Sequence, residues 1–142
     1  MKVDGQEMRP IWFDTTSQTP LVIDQRKLPH RLVTAKLDTV NAVIEAIKEM
    51  FVRGAPLIGA TGGFGVYTAL FESRKKKEMD TDHLIHECRR IKDARPTAVN
   101  LSWGVDRVLE MVLPHTTHEK RLKAALDTAL TIVEEEAENC KR

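Results

Sequence analysis

The sequence predicts an α+β domain: a small N-terminal antiparallel sheet followed by a bundle of about five helices. Three observations point there. Residues 11–37 read as short extended segments separated by Thr, Ser and Pro turn chemistry. From residue 39 onward, apolar residues recur at helical spacing. Within that part, "MFVRGAPLIGATGGFGVYTALF" (50–71) holds five glycines and runs eighteen residues after Arg53 without a charge.

The extended segments are Ile11–Phe13, Leu21–Asp24 and Arg31–Leu37. In the third, Arg31, Val33, Ala35 and Leu37 alternate with Leu32, Thr34 and Lys36, so one face can be buried. The period then changes. Val40, Val43, Ile44, Ile47, Met50 and Phe51 share one face of a helix that Asp38 or Thr39 can cap and that ends near Arg53 and Gly54. Pro56 suits the first turn of a second helix, where its missing N–H is harmless and its φ is preset; that helix runs to about Ser73. Arg74 and the three lysines at 75–77 follow, most simply a solvated helix end. A third helix, capped by Asp80 or Thr81, carries Leu84, Ile85, Cys88 and Ile91, which makes Cys88 a small core residue and places His83 and His86 at the surface. Pro96 interrupts the pattern, and a fourth helix carries Ala98, Leu101, Val105, Val108 and Val112 as far as Pro114. Thr116 and Glu119 have capping-box spacing ahead of a fifth helix with Leu122, Leu126, Ala129, Ile132 and Val133 inward.

The bulk composition excludes several classes. The chain has 142 residues, enough for one core, and its 22 lysines and arginines nearly balance 21 aspartates and glutamates. No excess field draws it to nucleic acid or to an anionic membrane, so an anion must be held by local groups. Cys88 and Cys140 are too few for a disulfide framework and lack spaced partners for zinc; a reducing, cytoplasmic setting and no metal are expected. The opening "MKVDGQEMRP" has no apolar core or cleavage site of a targeting signal. A bilayer span needs about 20 apolar residues, but the uncharged run is glycine-rich and lacks an aromatic belt. It suits a buried helix approached closely by other backbone, with packing offsetting the roughly 1 kcal/mol that each glycine costs a helix.

Gly59, Gly62, Gly63 and Gly65 do not follow a strand at G-x-G-x-x-G spacing, and no lysine follows them as a P-loop requires. They read as packing positions. The start of the run differs, because "RGAP" brings an arginine and the free amides of a new helix together, a ready place for an anion. "ARPTAVN" repeats the situation with Arg95 before Pro96, and Thr97 and Asn100 available to the opening turn. Two arginines at two helix starts can converge on one phosphate, though spacing does not decide that they do. No nucleophile and base are paired: Ser17 and Ser102 lack an evident histidine, and His30, His115 and His118 fall in loops or caps. Glu134, Glu135, Glu136 and Glu138 read as a solvated helix face.

Taken together, "IDQRKLP" (23–29), "VRGAPLIG" (52–59) and "ARPTAVNL" (94–101) resemble the methylthioribose-1-phosphate isomerase family, aldose–ketose isomerases of methionine salvage, in order and separation along almost the whole chain. Related families are ribose-1,5-bisphosphate isomerase and the regulatory subunits of the initiation factor 2B exchange factor. The resemblance implies that Arg53, Gly54, Ala55 and Arg95 contact the sugar phosphate. It also implies a usually dimeric enzyme that uses no cofactor, with proton or hydride movement between C1 and C2 carried by a cysteine and an aspartate.

Those two catalytic residues belong to a following Rossmann-like domain, whose "T-x-C-N-x-G" string does not occur here; Cys140, in "ENCKR", does not match it. The resemblance therefore implies an N-terminal domain over 1–142, with the sheet in 1–37 and helices in 38–142, no catalytic residue, and no turnover by itself. Its partners would be the sugar phosphate, the missing C-terminal domain and a second copy, with neither nucleic acid nor membrane. The alternatives are a sugar-phosphate-sensing regulatory subunit, ribose-1,5-bisphosphate isomerase, and a purely helical interaction module.

Overall fold

A computed structural model describes residues 2–3, 6–7, 10–27, 33–49, 51–52, 54–74 and 80–140. Among the residues singled out above, His30, Arg31, Leu32, Met50, Arg53 and the lysines at 75–77 lie outside the described residues, as do the side chains of Glu136, Glu138 and Cys140. The chain opens with a short antiparallel pair, β1 (Lys2–Val3) and β2 (Gln6–Glu7), which periodicity does not reveal because each strand has two residues. The expected sheet follows as β3 (Ile11–Asp14), β4 (Thr19–Ile23) and β5 (Thr34–Lys36), antiparallel throughout with β4 in the centre. Val22 sits opposite both Ile11 and Ala35 on one face of the sheet, while Thr19 and Ile23 of the central strand are buried on the other. The turn between β3 and β4 is closed by Asp14, which accepts the Ser17 hydroxyl at 2.7 Å.

Among the described residues, five α-helices follow: α1 (Val40–Lys48), α2 (Ala55–Glu72), α3 (Thr81–Asp93), α4 (Val99–Val112) and α5 (His118–Cys140). The α+β expectation holds. The α1 end and the α5 cap differ from expectation, each for a local reason, while the α3 cap is one of the two expected residues. α1 stops at Lys48, so Phe51 leaves the helix and lies half-buried in the link that follows. Of the two candidate caps for α3, Asp80 is used, accepting the His83 amide at 3.0 Å. α5 is capped by Thr117 and not by Thr116: the Thr117 hydroxyl accepts the Lys120 amide at 3.2 Å.

The uncharged run is the axis of the fold. Every residue of α2 from Leu57 to Leu70 is buried, and no helix among the described residues is long and apolar enough to cross a membrane. Its glycines take the close contacts: a Cβ on Gly62 would meet the Leu101 side chain at 2.6 Å, and one on Gly65 would meet Ile91 at 2.8 Å. α2 thus packs against α3, α4 and α5 at once, while Tyr67 donates to the Gln18 carbonyl at 2.8 Å and Thr68 to that of Leu37 at 2.9 Å, tying it to the sheet. On α5 the deepest positions are Ala125, Ala129 and Ile132; Leu122 and Leu126 are only partly covered. Arg121 was not foreseen as a core residue. It is 5% exposed and its guanidinium donates to the carbonyls of His115 (2.8 Å) and Leu113 (3.4 Å) and to the Thr81 hydroxyl (3.1 Å), closing the end of α4.

Candidate anion site at two helix starts

α1, α3 and α5 each begin under a side-chain oxygen of their own, from Thr39, Asp80 and Thr117. α2 and α4 do not. The residue ahead of α2 is Gly54 and the residue ahead of α4 is Ala98, and neither supplies a side-chain cap. Thr97 is exposed and does not take that role. The amides of Ala55 and Leu57 in α2, and of Val99 and Asn100 in α4, have no partner among the described residues, and Pro56 has none to satisfy. The two uncapped starts are the two that carry "RGAP" and "ARPTAVN".

They also adjoin. A Cβ on Gly59 would stand 2.9 Å from the carbonyl oxygen of Asn100, the second residue of α4. Gly62 then meets Leu101 and Val105, and Gly63 meets Val108, so contacts advance in the same direction along both helices. Both N-termini therefore face the same end of the domain, with the positive ends of two helix dipoles about one turn, roughly 6 Å, apart along the α2 axis. Gly54 enters α2 at φ +90 and ψ 136, a conformation open to glycine and costly for other residues, with nothing within 4 Å of where a Cβ would be.

Of the expected site residues, Gly54 and Ala55 form this helix start and both are exposed. Arg53 lies outside the described residues. Arg95 is half-buried in the link between α3 and α4, where its carbonyl accepts the Ala98 amide at 3.0 Å and its guanidinium has no partner among the described residues. No group of histidine, cysteine or carboxylate side chains among the described residues could hold a metal. Cys88 is 1% exposed, and burial pushes its thiol up to about 12, which suits an inert core position.

The first of the three strings has a role that spacing did not reveal. Asp24, 3% exposed, closes β4 and accepts three bonds from Arg26: Nη2 at 2.8 Å, Nε at 3.0 Å and the backbone amide at 3.1 Å. The Arg26 side chain holds the Asp24 carboxyl below the usual carboxylate range, and the same bond raises Arg26 above the usual arginine value. The guanidinium then lies 4.1 Å over the ring of Phe51, whose carbonyl accepts the Gln25 amide at 2.9 Å. All three strings thus meet around residues 51–59.

The fold and site define a domain shared with known proteins. The sequence profile of the Initiation factor 2 subunit family matches residues 51–142, and the chain belongs to that family. It is 51% identical over 98% of its length to a methylthioribose-1-phosphate isomerase of Desulfosudis oleivorans, of which it covers 37%. Among solved structures it resembles translation initiation factor eIF-2B, subunit delta, from A. fulgidus, with TM-score 0.83 and 34% identity over 93% of this chain and 38% of that one. It also resembles 5-methylthioribose 1-phosphate isomerase from Pyrococcus horikoshii, with TM-score 0.75 and 30% identity over 92% of this chain and 37% of that one. The chain spans a little over a third of the length of these relatives.

Proposed function

We propose that residues 1–142 are the N-terminal, phosphate-binding domain, sheet in 1–37 and helices in 38–142, of a cytoplasmic isomerase converting 5-methylthioribose 1-phosphate to 5-methylthioribulose 1-phosphate in methionine salvage. The observation that carries this reading is the pair of adjoining uncapped helix starts, α2 and α4, in a chain 51% identical to a methylthioribose-1-phosphate isomerase. Free amides and converging dipoles suit the dianionic phosphate of a sugar phosphate, and an arginine fork adds bidentate bonds. In this proposal Arg53 and Arg95 supply the forks, and the Gly54 and Ala55 backbone supplies the cradle. The proton or hydride transfer belongs to groups in the remaining length of the enzyme, so 1–142 alone turns nothing over and a chain supplying the rest restores activity. The whole enzyme acts as a dimer.

The test is Arg53→Ala and Arg95→Ala in the complete enzyme. Each removes a charged phosphate contact and is expected to cost about 1.5–3 kcal/mol in kcat/KM. Unchanged kcat and KM in both would reject the assignment, as would turnover by 1–142 alone. The closer structural match to the initiation factor subunit, TM-score 0.83 against 0.75, favours one second reading: a subunit that senses a sugar phosphate without chemistry. Binding of methylthioribose 1-phosphate without turnover by the complete protein would select it.

A further inference from the structure

We infer that the Asp24, Arg26 and Phe51 assembly is a positioning clamp that sets the entry of α2, so that residues of the first string govern anion binding at "RGAP" without touching the anion. The inference rests on the anion-site reading and deepens it. Among the described residues, the link from α1 to α2 has few anchors of its own. Phe51 donates its amide to Ala46, Val52 is fully buried, and three residues after Phe51 comes Gly54 at φ +90. The position of Phe51 is therefore passed to Gly54 through only two intervening residues, a reach of roughly 3.3–3.6 Å each at most.

From the sheet side, Phe51 is held by the turn after β4. Its carbonyl is taken by the Gln25 amide at 2.9 Å and its ring lies under Arg26 at 4.1 Å. Arg26 is itself held by two side-chain bonds to Asp24, and Asp24 is anchored to the sheet by its own amide, which donates to the Val33 carbonyl at 2.7 Å. A buried carboxylate bonded at both oxygens to one guanidinium fixes that plane in angle as well as distance. Of the described contacts of this link, the stack and the Gln25 bond are the ones that reach it from the sheet. Arg26 has spent its fork on Asp24 and its face on Phe51, so its effect on the anion runs through the backbone.

The experiment uses 15N-labelled chain 1–142 titrated with inorganic phosphate, with amide exchange measured at Gln25, Phe51 and Ile58, whose hydrogen bonds to Phe51, Ala46 and Gly54 hold the link and the helix entry. Phe51→Leu keeps every charge and the Gln25 bond but removes the ring; Phe51→Tyr keeps the ring; Arg26→Lys keeps the charge but loses the fork. Phe51→Leu and Arg26→Lys are each expected to weaken phosphate at least fivefold and to speed exchange at those amides at least tenfold. Amides of α3 and α5 stay as in the wild type, and Phe51→Tyr restores wild-type behaviour. If Phe51→Leu binds phosphate and exchanges as the wild type does, the clamp is overturned. A wild-type chain that binds no phosphate instead rejects the anion site, and exchange at the three amides then decides the clamp alone: faster in Phe51→Leu supports it, unchanged overturns it.

Discussion

Gly59 and Gly104 meet backbone to backbone: a Cβ on Gly104 would fall on the Gly59 carbonyl oxygen. Because Gly59 also abuts the Asn100 carbonyl, this crossing brings the starts of α2 and α4 together. Gly104→Ala must push the helices apart, since backbone on both sides leaves no side chain to yield. It is expected to destabilise the domain by about 1–3 kcal/mol, read from the urea midpoint, and to weaken phosphate binding with it. An unchanged midpoint would show that the helices do not approach this closely.

Gly54→Ala separates strain from crowding. There is open space where its Cβ would go, so any effect arises from the φ of +90. The expected cost is about 1–3 kcal/mol if the helix entry is kept. If the backbone relaxes instead, stability recovers and the Ala55 amide shifts in the 15N spectrum. A variant with both wild-type stability and a wild-type spectrum would contradict the conformation described.

Asp24 gives the fold a specific acid sensitivity. Its carboxyl is lowered from the ordinary 3.8 by the Arg26 bond, so the folded state binds its proton less readily than the unfolded chain does. Its stabilisation is complete above the unfolded value and is lost as pH falls below 3.8 through the lowered folded value. Asp24→Asn should therefore melt lower than wild type at pH 7, with the gap in Tm closing under acid. A gap that is constant from pH 7 down to acid unfolding would rule out the charge-assisted bond.

Arg121 closes α4 from α5, reaching two carbonyls and a hydroxyl while 5% exposed. Arg121→Met keeps the apolar stem but strands those carbonyls. A loss of about 1.5–3 kcal/mol in urea unfolding is expected, consistent with loss of charged hydrogen bonds in a covered site. Lysine, which lacks the fork, should recover less than half of it.

Cys88 should be silent toward thiol reagents. With its thiol pushed up to about 12 and its side chain 1% exposed, Cys140→Ser protein is expected to label at pH 8 only as fast as it unfolds. Labelling at the rate of a free thiol would place Cys88 outside the core.

The helical part was legible where one residue type answers to one neighbour. Val40, Val43 and Ile47 on α1, or Leu101, Val105 and Val108 on α4, are spaced to face a core whatever that core contains, and all are buried. Pro56 and the uncharged run likewise predicted a buried helix beginning at "RGAP". Phe51 was misread because its spacing continues the α1 face, although the chain has already left the helix at Lys48. Arg121 was missed because a lone arginine in an amphipathic helix gives no sign of burial.

The sequence by itself determined the α+β class, the order of the elements, and two arginine-bearing helix starts in a family-specific setting, because these depend on local periodicity, capping chemistry and the conformational limits of Pro and Gly. Only the tertiary structure decided that these two starts lie side by side, that they are the two left without caps, and that Asp24 and Arg26 hold the link leading into one of them. Those facts depend on which backbone meets which across long separations, as Gly59 meets Asn100 and Arg26 meets Phe51, and no local pattern encodes such a meeting.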